Sequence, residues 1–177
     1  MLSYQHIYHA ANRADVLKHA VLCAVLTELT KQKRPICYVE THAARGLYDL
    51  SSPEAIKGDE FGDGIVRLQK LQSIPQPLRI YDDLVRSFNS GDELKIYPGS
   101  PALASKILRP TDRLSFFELH PKEHEALNRN FGTDPRVQIR KADGYRGALS
   151  LAPRSRGQMV VLIDPSYETL GDLEALI

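Results

Sequence analysis

The stretch Gln158-Met159-Val160-Val161-Leu162-Ile163-Asp164-Pro165-Ser166-Tyr167 carries the reading of the fold. Five apolar residues run from Met159 to Ile163, and a carboxylate, a proline-fixed turn and an aromatic ring come within the next four positions. A short, continuous apolar run closed by a turn reads as a strand buried on both faces. Such strands build parallel sheets covered by helices on either side. Ligands of those sheets bind beyond the carboxyl ends of the strands. Function is therefore sought in the residues just past each strand.

The same grammar repeats upstream. Residues 137–141 alternate as a strand should, and Ala142-Asp143-Gly144 turns into a short helix over 145–151. Residues 114–119 read as a strand, and the next element is a helix that Pro121 starts and Gly132 ends. The first strand, 36–39, runs into the turn Thr41-His42-Ala43-Ala44-Arg45-Gly46. Before it, apolar positions 16, 17, 20, 21, 24, 25 and 29 have the period of an amphipathic helix over 14–32. Asn12 or Asp15 can cap that helix and Pro35 stops it. Strand and helix alternate, so the expected fold is α/β with a parallel sheet.

An acid about 20 residues past the first turn holds ribose hydroxyls in Rossmann folds. Here Glu118 stands 78 residues after Glu40. The surplus reads as helical. Ser52-Pro53-Glu54 is a helix start, 54–72 and 77–90 are helical stretches, and Pro98-Gly99-Ser100-Pro101 makes Ser100 the N-cap of a helix through 108. The expected organisation is a Rossmann-like domain of residues 1–46 and 110–177 with a helical subdomain, 47–109, inserted after the first strand.

With 42% hydrophobic and 25% charged residues, composition excludes collagen, coiled coil and wholesale disorder. The net charge of +1 is unevenly spread. Residues 1–34 hold five basic against two acidic side chains, and 136–158 hold six against one. Two basic segments converging on an anionic partner such as nucleic acid is the reading that uses this asymmetry. Arg13, Lys18, Arg140, Lys141, Arg146, Arg154 and Arg156 are the candidate phosphate contacts. Cys23 and Cys37 lie in apolar runs and read as buried free thiols of a reducing compartment. No apolar stretch approaches 18 residues and no signal peptide opens the chain, so a soluble, cytoplasmic protein without membrane contact is expected.

The strand ends carry the chemistry. Asp164 and the Pro165 carbonyl can each accept an N–H of an exocyclic amine, and Tyr167 can stack on the base. Acceptance of that kind localises the nitrogen lone pair and makes it nucleophilic. Glu118 is the ribose candidate, and Asp143-Gly144 lies just past the third strand. His120 and His124 have the spacing of a metal pair without a third ligand, so no metal is expected. Gly62-Asp63-Gly64 lacks the strand and the Gly-Lys-Ser/Thr of a phosphate loop.

Asp164-Pro165-Ser166-Tyr167 resembles the D-P-P-Y motif of amino-group N-methyltransferases acting on adenine. The opening L-S-Y-x-H-x-x-H-A-x-N-x-A-D-V-L-K-H over residues 2–19, with T-H-A, Y-P-G-S-P, E-L-H-P and A-D-G, resembles the bacterial 23S ribosomal RNA adenine-N6 methyltransferase J family. Some members carry the description "involved in catabolism of external DNA". The resemblance covers the whole chain. It implies a class I S-adenosylmethionine-dependent methyltransferase fold and methylation of an adenosine in 23S rRNA, met as naked or partly assembled RNA by a monomer. By position it makes Asp164 the catalytic acceptor, with Pro165 and Tyr167. It sets Lys18, His19, His42, Ser100, Glu118, Asp143, Gly144 and Asp164 around S-adenosyl-L-methionine, and Tyr4 against the RNA.

The turn Glu40-Thr41-His42-Ala43-Ala44-Arg45-Gly46 departs from the family's near D-T-H-A-G-A-G, and Ser166 replaces a proline. These changes count against donor affinity. The competing readings are a DNA adenine-N6 methyltransferase and a nucleic-acid-binding protein with a decayed methyltransferase site. Class I methyltransferases use seven strands and four are legible here. The sheet is therefore expected to be incomplete, with the last strand an open edge, in an N-terminal part of a longer protein or a truncated gene.

Overall fold

The computed structural model describes residues 4–91, 93–152 and 157–166. In chain order the elements are α1 (Arg13–Thr30), β1 (Ile36–Glu40), β2 (Leu47–Asp49), α2 (Pro53–Gly58), α3 (Arg67–Gln69), α4 (Gln76–Arg86), β3 (Ile96–Pro98), α5 (Ser100–Ile107), β4 (Arg113–Phe117), α6 (Pro121–Phe131), β5 (Val137–Arg140), α7 (Gly144–Leu151) and β6 (Gln158–Leu162). They form two compact units. One holds residues 33–45 and the described residues from 109 onward; the other holds 5–32 and 46–108.

The first unit is an α/β layer on a four-stranded sheet ordered β5-β4-β1-β6. Every pairing is parallel, with Tyr38 of β1 opposite Leu114 of β4 and Val160 of β6. Numbered along the chain, the order is 3-2-1-4, half of a doubly wound Rossmann sheet, and it reverses between β1 and β6. The reversal point is where such sheets open a ligand crevice. Tyr38, Val39, Leu114, Phe116 and Phe117 are buried and form the core. Asp112, fully buried, accepts from the Ile36 N–H (2.9 Å) and the Arg109 N–H (2.8 Å), tying the starts of β1 and β4. The expectation that β6 is covered on both faces does not hold among the described residues. Val161 is 37% exposed, its side chain lining an open groove beside α7.

The second unit packs α1 against α4 and α5. Asn12 is the N-cap of α1, its Oδ1 accepting from the Asp15 N–H (2.9 Å). The helical unit thus includes α1, which the sequence grouped with the sheet, because the inward face of α1 (Ala20, Leu22, Cys23, Leu26) is buried there. The stretch expected as one helix over 54–72 is broken. Asp59 ends α2 in the left-handed region (φ 50°), and Gly64 takes a non-helical conformation where a Cβ would lie 1.9 Å from the Ala11 carbonyl oxygen. Two short strands, β2 and β3, pair antiparallel with Tyr48 opposite Tyr97. At three residues each they carry no periodicity to read. Ser100 is the first residue of α5 rather than its cap, a position Gly99 takes.

Candidate functional site

Parallel pairing brings the ends of all four strands of the first unit to one edge. The turn after β1 is strapped across that edge. The Thr41 N–H donates to the Leu162 carbonyl of β6 (3.1 Å), and the Ala43 N–H donates to the Phe117 carbonyl of β4 (3.0 Å). Glu40 is buried and accepts from the Tyr38 hydroxyl (2.7 Å). Glu118, just past β4, accepts the Ala44 N–H at Oε2 (2.8 Å) and the His120 N–H at Oε1 (2.7 Å). Burial pushes its carboxyl above the ordinary value, and the two amide donors offset that only in part. Half-buried and held by neutral donors, this carboxylate keeps lone pairs for hydroxyls of a ligand.

After β5, Asp143 is exposed and caps α7, its Oδ1 accepting from the Arg146 N–H (2.9 Å). Gly144 packs on the turn after β1, where a Cβ would lie 2.0 Å from the Thr41 carbonyl oxygen. Only glycine allows that approach. The His42 ring meets Tyr145 edge-on, centroids 5.2 Å apart. Asp164 stands past the end of β6, half-buried, beside the buried Pro165. An apolar groove of about 290 Å³ borders this edge, lined by Thr41, Tyr145, Leu149, Met159, Val161 and Ile163.

Of the residues expected around one site, the first unit therefore holds His42, Glu118, Asp143, Gly144, Asp164 and Pro165 on one sheet edge. Tyr4, half-buried, also clusters with this unit. Tyr167, Arg154 and Arg156 lie outside the described residues. The second unit holds Lys18, His19 and Ser100. There Asp15, 1% exposed, accepts from the Ala11 N–H at Oδ2 (2.8 Å), with His6 Nε2 at 2.9 Å from the same oxygen. Lys18 Nζ is 2.8 Å from Asp15 Oδ1. His19 is buried with Nδ1 at 2.7 Å from the Tyr97 hydroxyl, which is 3.1 Å from that of Tyr81. Burial pushes the His19 imidazole down to about 3, so it is neutral at ordinary pH.

Sequence reasoning missed Asp15 except as a cap, and it missed the partners of Arg45. Arg45 donates through Nε to Glu123 Oε2 (2.8 Å), and Glu123 is almost wholly buried. The i, i+3 spacing of Asp15 and Lys18 was a usable signal; a pair 78 residues apart leaves none. His120 and His124 have other contacts. His120 Nδ1 caps α6 by accepting from the Glu123 N–H, His124 lies against Asn128, and the described residues contain no cluster of three metal-ligating side chains. Cys23 and Cys37 are unbridged; Cys23 is buried, but Cys37 is only half-buried.

Known proteins resemble this chain throughout. It is 38% identical over 177 residues to the ribosomal RNA large subunit methyltransferase J of Escherichia coli, covering 100% of this chain and 63% of that protein. The protein of the same name in Haemophilus influenzae is 38% identical over 178 residues, with the same coverage. The chain thus spans 63% of the length of these curated relatives. A crystal structure of a Legionella pneumophila protein superposes with a TM-score of 0.84 at 34% identity, covering 95% of this chain and 62% of that one. The family model described as "Ribosomal RNA large subunit methyltransferase D, RlmJ" matches residues 33–177, and the chain belongs to that family.

Proposed function

We propose that this chain contributes the donor-binding and base-binding elements of an enzyme that methylates N6 of an adenosine in 23S rRNA. S-adenosyl-L-methionine, when bound, supplies a methyl group on a positively charged sulfur. The observation that carries the reading is the turn–carboxylate pair at the strand-order reversal, with Glu118 beside the Thr41–Gly144 contact and Asp164 past the neighbouring strand. A diol suits Glu118, because its carboxylate is preset by two backbone N–H groups and accepts further hydrogen bonds. A planar ring suits the groove beside Tyr145 and Ile163.

Asp164 and the Pro165 carbonyl accept the two N–H groups of the target adenine, which has left its stack to reach them. Held there, the N6 lone pair points along the line of displacement, and orientation of the two reactants supplies most of the acceleration. With the donor bound, the methyl–sulfur bond would break as the nitrogen–methyl bond forms, its electron pair leaving a neutral thioether, and the proton given up by the nitrogen would pass to Asp164 or to water. The family resemblance also assigns Lys18, His19 and Ser100 to the donor and Tyr4 to the RNA. The basic side chains contact phosphates, which makes RNA binding fall steeply with salt. The setting is the cytoplasm, where the rRNA is; among the described residues no helix is long and apolar enough to cross a membrane.

Tritium transfer from labelled donor to unmethylated 23S rRNA tests the reading. Asp164→Ala is expected to lower the rate at least about 100-fold, the lower range for loss of a proton-accepting group. Equal labelling by the variant removes Asp164 from the mechanism. A DNA competitor that suppresses labelling as well as the RNA does would move the substrate to DNA.

A further inference from the structure

The turn after β1 carries Ala44 and Arg45, and the structure gives both residues partners. Ala44 sits at φ 48°, a left-handed conformation that is costly for a residue with a Cβ. In that conformation its N–H donates to Glu118 Oε2. Arg45 reaches the first turn of α6 with two nitrogens, Nε to Glu123 Oε2 and Nη2 to Glu123 Oε1. Its carbonyl accepts from Asn130 Nδ2 (2.9 Å) in the last turn of the same helix. The Glu123 side chain is 2% exposed with Arg45 on it, so the pair is shielded from water. A planar guanidinium meeting a carboxylate at two points sets angle as well as distance.

We propose that the Arg45–Glu123 pair positions Glu118 for the ribose of the donor, by pinning the turn to α6 and so holding the Ala44 amide on the Glu118 carboxylate. Both are positioning residues, acting through Glu118. The residues that counted against donor affinity in the sequence are then parts of a clamp. The proposal rests on the donor reading given above, and its test separates the two.

Hydrogen exchange at the Ala44 amide is measured in the ligand-free, 177-residue chain, and the affinity for S-adenosylhomocysteine by calorimetry. Arg45→Ala is expected to speed exchange at Ala44 and to weaken binding, each about tenfold, the lower range for removing an outer-shell partner of a ligating group. Arg45→Lys, which keeps the charge but loses the fork, recovers less than half of the loss. In a Glu118→Gln background, Arg45→Ala changes affinity less than about twofold, because the group it serves is gone. Unchanged exchange in Arg45→Ala overturns the proposal, and so does a loss fully additive with Glu118→Gln. If Arg45→Ala does not fold, Glu123→Gln keeps the shape and one acceptor and is read the same way. A wild-type chain that does not bind the probe defeats the donor reading, while exchange at Ala44 still decides whether the clamp exists.

Discussion

Two carboxylates, one in each unit, sit in opposite environments. Asp15 in the helical unit is buried, and burial alone would raise its carboxyl. The charge of His6, the hydrogen bond from its ring and the charge of Lys18 oppose that and hold it well below the ordinary range. Glu118 on the sheet edge is also pushed up by burial, and the nearby charge of Glu123 pushes the same way; amide donors from His120 and Ala44 do not cancel them. The difference separates two uses of an acid. An anion whose oxygens are taken by a lysine, a histidine and a backbone N–H is saturated and fastens the fold. An anion held by neutral amides stays open to a ligand and pays for that readiness in stability.

The largest effect is expected where the anion is saturated. Asp15→Ala leaves Lys18, His6 and the Ala11 N–H facing a vacated buried site, and breaking a buried pair in this way costs about 3–5 kcal/mol. Urea unfolding at pH 7 measures it; a loss below about 1 kcal/mol would make Asp15 an ordinary surface-like acid.

The pH dependence of stability separates the same two regions by sign. The depressed carboxyl of Asp15 adds stability that is full above the unfolded value of about 3.9 and is lost as pH falls through its lower folded value. His19 acts in the same direction higher up. It stays neutral in the fold down to about 3, while the unfolded chain takes up a proton below about 6.5. Stability therefore rises with pH between those values, by at most about 1.4 kcal/mol per unit from this group. His19→Gln should flatten that limb, and a wild-type chain equally stable at pH 5 and pH 7 would contradict it. Glu118 has the opposite sign. Its raised folded value means that its stability contribution declines as pH rises from the unfolded value through the folded one.

Glu118→Gln sharpens the comparison from the other side. The amide keeps the shape and removes the charge that burial opposes, but it turns its NH2 against one of the two backbone N–H groups, so a loss of about 1 kcal/mol of stability at pH 7 is expected. Donor binding should fall about 10- to 100-fold, the worth of a hydrogen bond to a charged group. A variant that loses much more stability yet keeps its affinity would place Glu118 with Asp15 among the fasteners.

The two regions were not equally legible in the sequence. In the sheet unit the apolar runs, the acids just past them, the helix start at Pro121 and the cap at Asp143 are all local signals. Strand alternation converts them into one edge by parallel pairing. Local rules could not reach contacts closed only by the fold. The clamp from Arg45 to Glu123 crosses 78 residues, and the bond from His19 to Tyr97 also crosses 78. The broken stretch around Gly64 was hidden for a related reason, because its helical period is overridden by a backbone contact with Ala11. Spacing could single out Glu118 as an acid past a strand, but it could not show that the turn beside it is bonded both to Glu118 and, through Arg45, to Glu123.

The smallest expected effect tests that turn directly. Ala44 stays left-handed although its Cβ disfavours φ 48°, so something in the fold enforces the conformation. Ala44→Gly removes the Cβ penalty, while the added freedom of the unfolded chain takes back part of the gain. The net expectation is about 0.5–1 kcal/mol of stabilisation, a rise in thermal midpoint of about 2–3 °C for a chain of this size. Because Arg45 and Glu123 still hold the turn, donor affinity should stay within about twofold. A gain in stability joined to a tenfold loss of affinity would instead mean that the methyl group of Ala44 helps to order the turn, and that the clamp alone does not hold the amide on Glu118.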